Sequence, residues 1–242
     1  MSRLFTFGCS FTNYRWMTWA DILGTQFDEF QNWGQAGAGN RYIFNAVMEA
    51  DQRQKLQSDD TVVVCWSNIL REDRYVDGRG WITLGNIGHS PIFTKEFIAD
   101  SVCERGYLLE TLGYIKGIRD FLKYKGVRWK FLSIVPIDQP DTVDDRKLTY
   151  GDITDMYRDV IDSVEPSFTS VLGHSFWEKD KHKRYHYSEH SVDYHPTTEE
   201  ALLYLDTVLP GWVTNTELRQ QIAQTPLIMN KRANGSCMQK RF

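Results

Sequence analysis

No apolar run in this 242-residue chain approaches the roughly 20 residues that cross a bilayer, so no spanning helix is expected. Basic charge is not in excess: 28 Lys and Arg face 32 Asp and Glu, a formal net charge of -4. A general nucleic-acid binder would carry a basic face, so that class is disfavoured. Cysteine is sparse, with Cys9, Cys65, Cys103 and Cys237 far apart and no CxxC pair. Two of them, Cys9 and Cys65, lie in or beside strand-like segments, where a thiol is usually a small buried hydrophobe. Reduced thiols and an intracellular folding environment are the expectation, with disulfides left open. The N-terminus, MSRLFTFGCSF, has one Arg and a short apolar stretch and does not read as a signal peptide. The expected location is therefore cytoplasmic, with association with a virus particle left open. Internal repeats and a second domain are also missing.

What is present is an ordinary globular balance, 41% apolar and 25% charged, with a high aromatic share of 14%. Eight Trp and twelve Tyr favour aromatic-lined clefts, although core packing accounts for most such rings. Residues 3–8 (RLFTFG) read as a first strand closed by Gly8. The segment 16–26 has Trp16, Trp19, Ala20 and Leu23 at helical spacing. Residues 41–56 read as a helix with Ile43, Val47 and Ala50 on one face and Asn40 as its cap. The run 61–66 (TVVVCW) suits a central parallel strand buried on both faces.

Residues 68–92 show no clear periodicity and are expected to form a functional, lid-like loop. One long or two short helices follow over 95–124, then a strand over 127–135 closed by Pro136, then a helix over 151–164. A fifth strand is expected over 168–172. The segment 197–209 opens with Thr followed by acidic residues, a helix-start signal. This alternation predicts a three-layer α/β/α sandwich around a doubly wound, mostly parallel sheet of about five strands, flavodoxin-like in class. One domain is expected over 1–225, and 226–242 is expected to be a flexible basic tail.

In such a sheet the ligand site lies beyond the carboxyl ends of the strands. Three segments ending there carry unusual residues: Gly8-Cys9-Ser10-Phe11-Thr12, Asn32-Trp33-Gly34-Gln35-Ala36-Gly37 and Trp66-Ser67-Asn68. Asp193-Tyr194-His195-Pro196 stands just before the last core helix. Acyl transfer needs these types. A serine hydroxyl becomes a useful nucleophile when a neutral imidazole takes its proton. A carboxylate beside the imidazole fixes its tautomer and stabilises the imidazolium. Glycine N–H and asparagine amide groups suit a developing oxyanion, and losing one such donor costs about 3 kcal/mol.

The order of these four blocks, spread over residues 8–196, resembles the SGNH (GDSL-like) hydrolase superfamily. The resemblance implies Ser10 as nucleophile with its own N–H in the oxyanion hole. It implies Gly37 and Asn68 as the other oxyanion donors, His195 as base and Asp193 as its orienting carboxylate. Asn40, Trp66 and Tyr194 are candidate substrate contacts, Asn40 alternatively as a support for the Gly37 turn. The chain departs from the family pattern at three places. Cys9 replaces the Asp of GDS, Trp66-Ser67-Asn68-Ile69 replaces GxND, and one residue rather than two separates Asp193 from His195.

Other readings compete residue by residue. Ser10 could be a turn serine, His195 a locally bonded loop histidine and Asn68 a bare loop residue. His182, His186 and His190 recur every four residues near Asp193 and His195, a spacing that could hold zinc or iron. That stretch carries no apolar stripe to hold a helix, and a basic, aromatic rim is the expected role, with no metal and no cofactor. Cys9 could be a thiolate nucleophile, but motif register favours Ser10 and turns Cys9 inward. The expected function is hydrolysis of an ester, or transfer of its acyl group, through an acyl-serine. The substrate would be a small molecule or glycan ester, with O-acyl groups on carbohydrate leading. Trp66, Trp81, Tyr75, Tyr185 and Tyr187 are candidate stacking faces. The rival is a catalytically silent module of the same fold that binds glycan or serves as a structural part. Oligomeric state is not legible.

Overall fold

The computed structural model describes residues 2–88, 92–138, 150–173, 186–188 and 191–230, of which 186–188 and 191–192 are described by backbone alone. The elements in chain order are β1 (Arg3–Phe7), α1 (Trp19–Gly24), β2 (Glu29–Asn32), α2 (Asn40–Gln54), β3 (Thr61–Trp66), β4 (Arg71–Val76), β5 (Gly80–Asn86), α3 (Lys95–Ser101), α4 (Glu104–Lys125), β6 (Arg128–Ser133), α5 (Gly151–Met156), α6 (Arg158–Ile161), α7 (Phe168–Leu172), β7 (His186–Ser188), β8 (Ser191–Val192), α8 (Thr198–Val208) and α9 (Thr216–Gln224).

The central sheet is parallel throughout, in the order β2-β1-β3-β6. β3 is buried at every position, as its unbroken TVVVCW run requires. One helical layer pairs α1 with α8, and another pairs α2 with α4. α4 buries Leu108, Leu112, Ile115, Ile118 and Leu122 as one stripe. Each such side chain contributes about 1.5–3 kcal/mol over its exposed state. The chain leaves β1 towards β2 and returns past β1 to β3, so strand order reverses between β1 and β3. The loops after those two strands therefore frame the crevice where doubly wound sheets hold ligands.

Three sequence expectations change. Residues 168–172 are helix α7, not a strand; at that edge the sheet gains a single parallel bridge, Phe131 to Val164. A five-residue apolar piece suits a short helix or a short strand equally, and the Ser167 hydroxyl, accepting from the Ser170 N–H, caps it as a helix. Within the segment 68–92, where a lid-like loop is expected, residues 71–86 form the antiparallel hairpin β4–β5, in register Tyr75 to Trp81 and Val76 to Gly80. Its turn is Asp77-Gly78-Arg79, and Gly78 and Gly80, at φ +71° and +76°, supply the left-handed backbone that a tight hairpin needs. Asn40 is the first residue of α2 rather than its cap, which is Gly39.

The segment 95–124 resolves into α3 and α4, and the 151–164 helix breaks at Tyr157 into α5 and α6. At the far end of the chain, residues 228–230 run beside 15–17, with Met17 N–H donating to the Ile228 carbonyl at 2.8 Å and Asn230 N–H to the Arg15 carbonyl at 2.7 Å. The rest of the expected basic tail lies outside the described residues.

Candidate active site

β1 delivers the chain to Gly8, where a Cβ would fall 2.1 Å from Thr12 Oγ1 and 2.9 Å from the Cys65 carbonyl. Only glycine permits this approach to the end of β3. A tight turn follows: the Cys9 carbonyl accepts from Thr12 N–H at 2.9 Å and Asn13 N–H at 3.2 Å. Ser10 sits at its head. Cys9 is fully buried in the core while the adjacent Ser10 meets the histidine. Asn32 fastens this turn to the next loop: its Nδ2 donates to the Thr12 carbonyl at 2.8 Å and its Oδ1 accepts from Gly34 N–H at 3.0 Å.

Ser10 Oγ lies 2.8 Å from His195 Nε2, and His195 Nδ1 lies 2.7 Å from Asp193 Oδ1. An ionised carboxylate can only accept, so Nδ1 donates to it, and in the neutral form of the ring Nε2 is left to accept from the serine hydroxyl. The single intervening residue is compatible with this contact because Asp193 Oδ1 also accepts from the His195 backbone N–H at 2.9 Å. That closes an Asx-type turn which carries the carboxylate back over the ring of the residue two positions on. Asp193 Oδ2 accepts from the Tyr14 hydroxyl at 2.6 Å. Burial alone would push the Asp193 carboxyl up. The bonds from the His195 ring, the Tyr14 hydroxyl and the His195 N–H outweigh it and hold the carboxyl below the ordinary aspartate range. Pro196 and the capping box of α8 then stop the segment: Thr197 and Glu200 exchange bonds at 2.8 and 3.2 Å.

The oxyanion candidates lie on two other loops. The turn 35–38 hangs from the end of β1, with Gln35 N–H donating to the Gly8 carbonyl at 3.0 Å. Gly37 in this turn has φ +76°, and a Cβ there would lie 3.0 Å from the Thr83 carbonyl. Asn68 is buried, and its Oδ1 accepts from Leu70 N–H at 2.8 Å. That leaves its Nδ2 as the free donor end, with no acceptor on it among the described residues. Tyr194 is half-buried.

Asn40 is occupied elsewhere. Its Nδ2 donates to the Ser67 carbonyl and to Thr111 Oγ1, both at 3.1 Å, and its Oδ1 accepts from Ser67 N–H at 2.8 Å. It ties the start of α2 to the end of β3, with both of its amide N–H groups engaged there. Trp66 is corrected outright: it is fully buried, edge-on to Phe131, and cannot touch a ligand. The last residue of an all-buried strand is a core position whatever its size. Trp81 is half-buried between Tyr42 and Tyr75, and Tyr75 is exposed. Tyr185, His182 and His190 lie outside the described residues, and of His186 and Tyr187 only the backbone, in β7, is described. Among the described residues no group of three metal-ligating side chains forms.

Sequence reading missed the supports. Tyr14 contacts both His195 and Asp193. Asp73, on β4, accepts from Gly39 N–H and Tyr42 N–H at 2.9 Å each. It thereby caps α2 from outside the helix. Thr83 donates to the Ala36 carbonyl at 2.7 Å and Arg71 to the Ala38 carbonyl at 3.1 Å, so the hairpin grips the Gly37 turn from one side. The only advance signal was the Asp-Gly turn that marks the hairpin.

No family model and no curated protein matches this chain. Among solved structures, it is similar to a member of the lipolytic protein G-D-S-L family from Veillonella parvula DSM 2008. The identity is 14% and the TM-score 0.45, over 86% of this chain and 98% of that one. It is also similar to Axe2, an acetylxylan esterase from Geobacillus stearothermophilus, with 12% identity and a TM-score of 0.43 over 88% and 96% of the two chains. What the arrangement can do chemically follows from the site itself. An imidazole, oriented by a charged carboxylate, lies within hydrogen-bond reach of one serine hydroxyl.

Proposed function

We propose that the chain is an ester hydrolase of SGNH type working through an acyl-serine. The observation that carries this reading is the continuous relay from Ser10 through His195 to Asp193, with contacts of 2.8 and 2.7 Å. Ser10 Oγ attacks the ester carbonyl as its proton passes to His195 Nε2. Asp193 stabilises the imidazolium without taking its proton. The oxyanion is assigned to the N–H groups of Ser10 and Gly37 and the Nδ2 of Asn68. Collapse breaks the ester C–O bond and His195 returns the proton to the leaving alcohol. Water, deprotonated by the same ring, then attacks the acyl-serine, releasing the acid and restoring Ser10.

For the substrate we favour small O-acyl groups on carbohydrate. Tyr75 and Trp81, paired edge to face on the hairpin that grips the Gly37 turn, offer aromatic surface of the kind on which sugar rings stack.

A fluorophosphonate probe tests the chemistry. Wild type is expected to be labelled and to turn over p-nitrophenyl acetate, while Ser10→Ala does neither. A folded wild type that stays unlabelled and inactive refutes the hydrolase reading and leaves the silent binding module. For the substrate, acetylated xylo-oligosaccharide should release acetate faster than a long-chain acyl ester releases its acid. The reverse order refutes the carbohydrate assignment alone.

A further inference from the structure

Four residues after the nucleophile, Tyr14 makes two contacts at once. Its ring lies parallel to the His195 imidazole, with centroids 3.8 Å apart and planes 19° from parallel. Its hydroxyl reaches past that ring to Asp193 Oδ2 at 2.6 Å. Tyr14 is itself held edge-on by Trp16, at 4.7 Å and 83°. Trp16 Nε1 donates to the Pro196 carbonyl at 2.7 Å, so the same short segment also grips the residue after the histidine. We infer that Tyr14 is a positioning residue for the base: its ring fixes the imidazole plane and its hydroxyl tempers the carboxylate that holds the imidazole. The inference rests on the reading of His195 as the base of an acyl-serine mechanism.

An imidazole bonded only through Nδ1 to a carboxylate can still tilt about that bond, and a tilt takes Nε2 away from Ser10. A parallel ring at van der Waals distance removes that freedom on one face. The hydroxyl acts on charge. A carboxylate with no other donor on it binds the imidazolium more tightly than one whose charge is shared, and so opposes release of the proton. A phenol donor on the other oxygen draws part of that charge away. Tyr14 keeps the proton that this donation requires. Burial first, and then its bond to Asp193, push its phenol far above the ordinary tyrosine range, with Arg15 opposing weakly. The charged or titratable groups set around the phenol are Asp193, His195 and Arg15.

The test is the titration of His195, followed by NMR of the imidazole carbons and assigned by its loss in His195→Gln. Tyr14→Phe keeps the ring and removes one oxygen. It should raise the pH midpoint of His195 by about half a pH unit or more. In an Asp193→Asn background the same substitution should produce no rise. Should Tyr14→Phe not fold, Asp193→Asn read alone should lower the Tyr14 phenol, with burial still holding it above the ordinary tyrosine range, and an unmoved phenol overturns the proposal. In kinetics, Tyr14→Phe should move the acid limb of kcat/KM to higher pH and lower kcat about tenfold with KM unchanged.

A purely structural tyrosine would lower the yield of folded protein and leave the midpoint where it was. An unchanged His195 midpoint in folded Tyr14→Phe overturns the proposal. If the probe labels wild type and spares Ser10→Ala while the midpoint does not move, only the role of Tyr14 is lost. If wild type never reacts and the midpoint does move, the hydrolase reading fails and the coupling of Tyr14 to the histidine stands.

Discussion

Two buried aspartates, one beside His195 and one at the start of α2, have opposite fates. Asp193, beside His195, is 7% exposed and its carboxyl is held below the ordinary range. Asp73, behind the Gly37 turn, is 1% exposed, and burial pushes its carboxyl up to about 6 despite bonds from Gly39 and Tyr42 N–H and the charge of Arg71. Burial penalises both charges. Asp193 accepts three hydrogen bonds, one of them from a ring that can itself become positive. Asp73 accepts two, from neutral amides. One carboxylate is arranged to remain charged beside an imidazole; the other clamps a helix start at the expense of its own desolvation.

The largest break in that contrast comes from Asp193→Asn. An asparagine can keep the contact to Nδ1 only by selecting between tautomers, and the one that presents its amide N–H leaves the proton on Nε2, facing Ser10. The expected loss is about 10³–10⁴-fold in kcat with stability little changed, the range seen when a triad acid is neutralised in place. Pre-steady-state probe labelling and urea unfolding measure the two sides. A loss under tenfold would show that Asp193 does not set the tautomer.

The sequence made Ser10, Asp193 and His195 legible because their chemistry is local to short motifs, and the Asp-x-His spacing is short enough to close on itself. Tyr14 was not legible, since its partner Asp193 lies 179 residues away and nothing in Asn13-Tyr14-Arg15 announces it. The run TVVVCW and the stripe of α4 announced β3 and α4 because burial demands apolar periodicity. β4 gave no such sign: Arg71-Glu72-Asp73-Arg74 is a strand lying off the sheet, whose one buried side chain is a carboxylate. Trp66 was misread as a wall of the site because size suggests a surface for ligands. Its place at the end of a strand buried on both faces decides otherwise.

The second break acts on Asp73 through pH. Its folded carboxyl titrates near 6 against an ordinary value of 3.8, so the folded state binds the proton more tightly than the unfolded one. The stability it contributes is fully present below about pH 4 and is lost as pH rises through 6. A rise of about two pH units corresponds to about 3 kcal/mol. Urea unfolding of wild type between pH 4.5 and 8 should therefore lose about 2 kcal/mol of stability relative to Asp73→Asn, with most of the change between pH 4.5 and 6. Parallel curves for the two proteins would place Asp73 in a better-solvated setting than its burial indicates.

The smallest effect is expected at Thr83. Thr83→Val keeps the shape of the side chain and removes the donor to the Ala36 carbonyl, one residue before Gly37. That bond lies at the surface, where water can replace the lost donor, so the cost should be about 0.5–1 kcal/mol in urea unfolding. The Gly37 turn also keeps the Arg71 bond to Ala38 and the Asp73 cap on α2, so kcat on p-nitrophenyl acetate should fall only a few-fold, with KM unchanged and Thr83→Ser restoring it. The Gly37 turn is thus held by several weak ties of which none is decisive, whereas the ring proton of His195 is placed by one carboxylate. A loss at Thr83→Val as large as that at Asp193→Asn would erase this distinction and make the hairpin contact the principal support of Gly37.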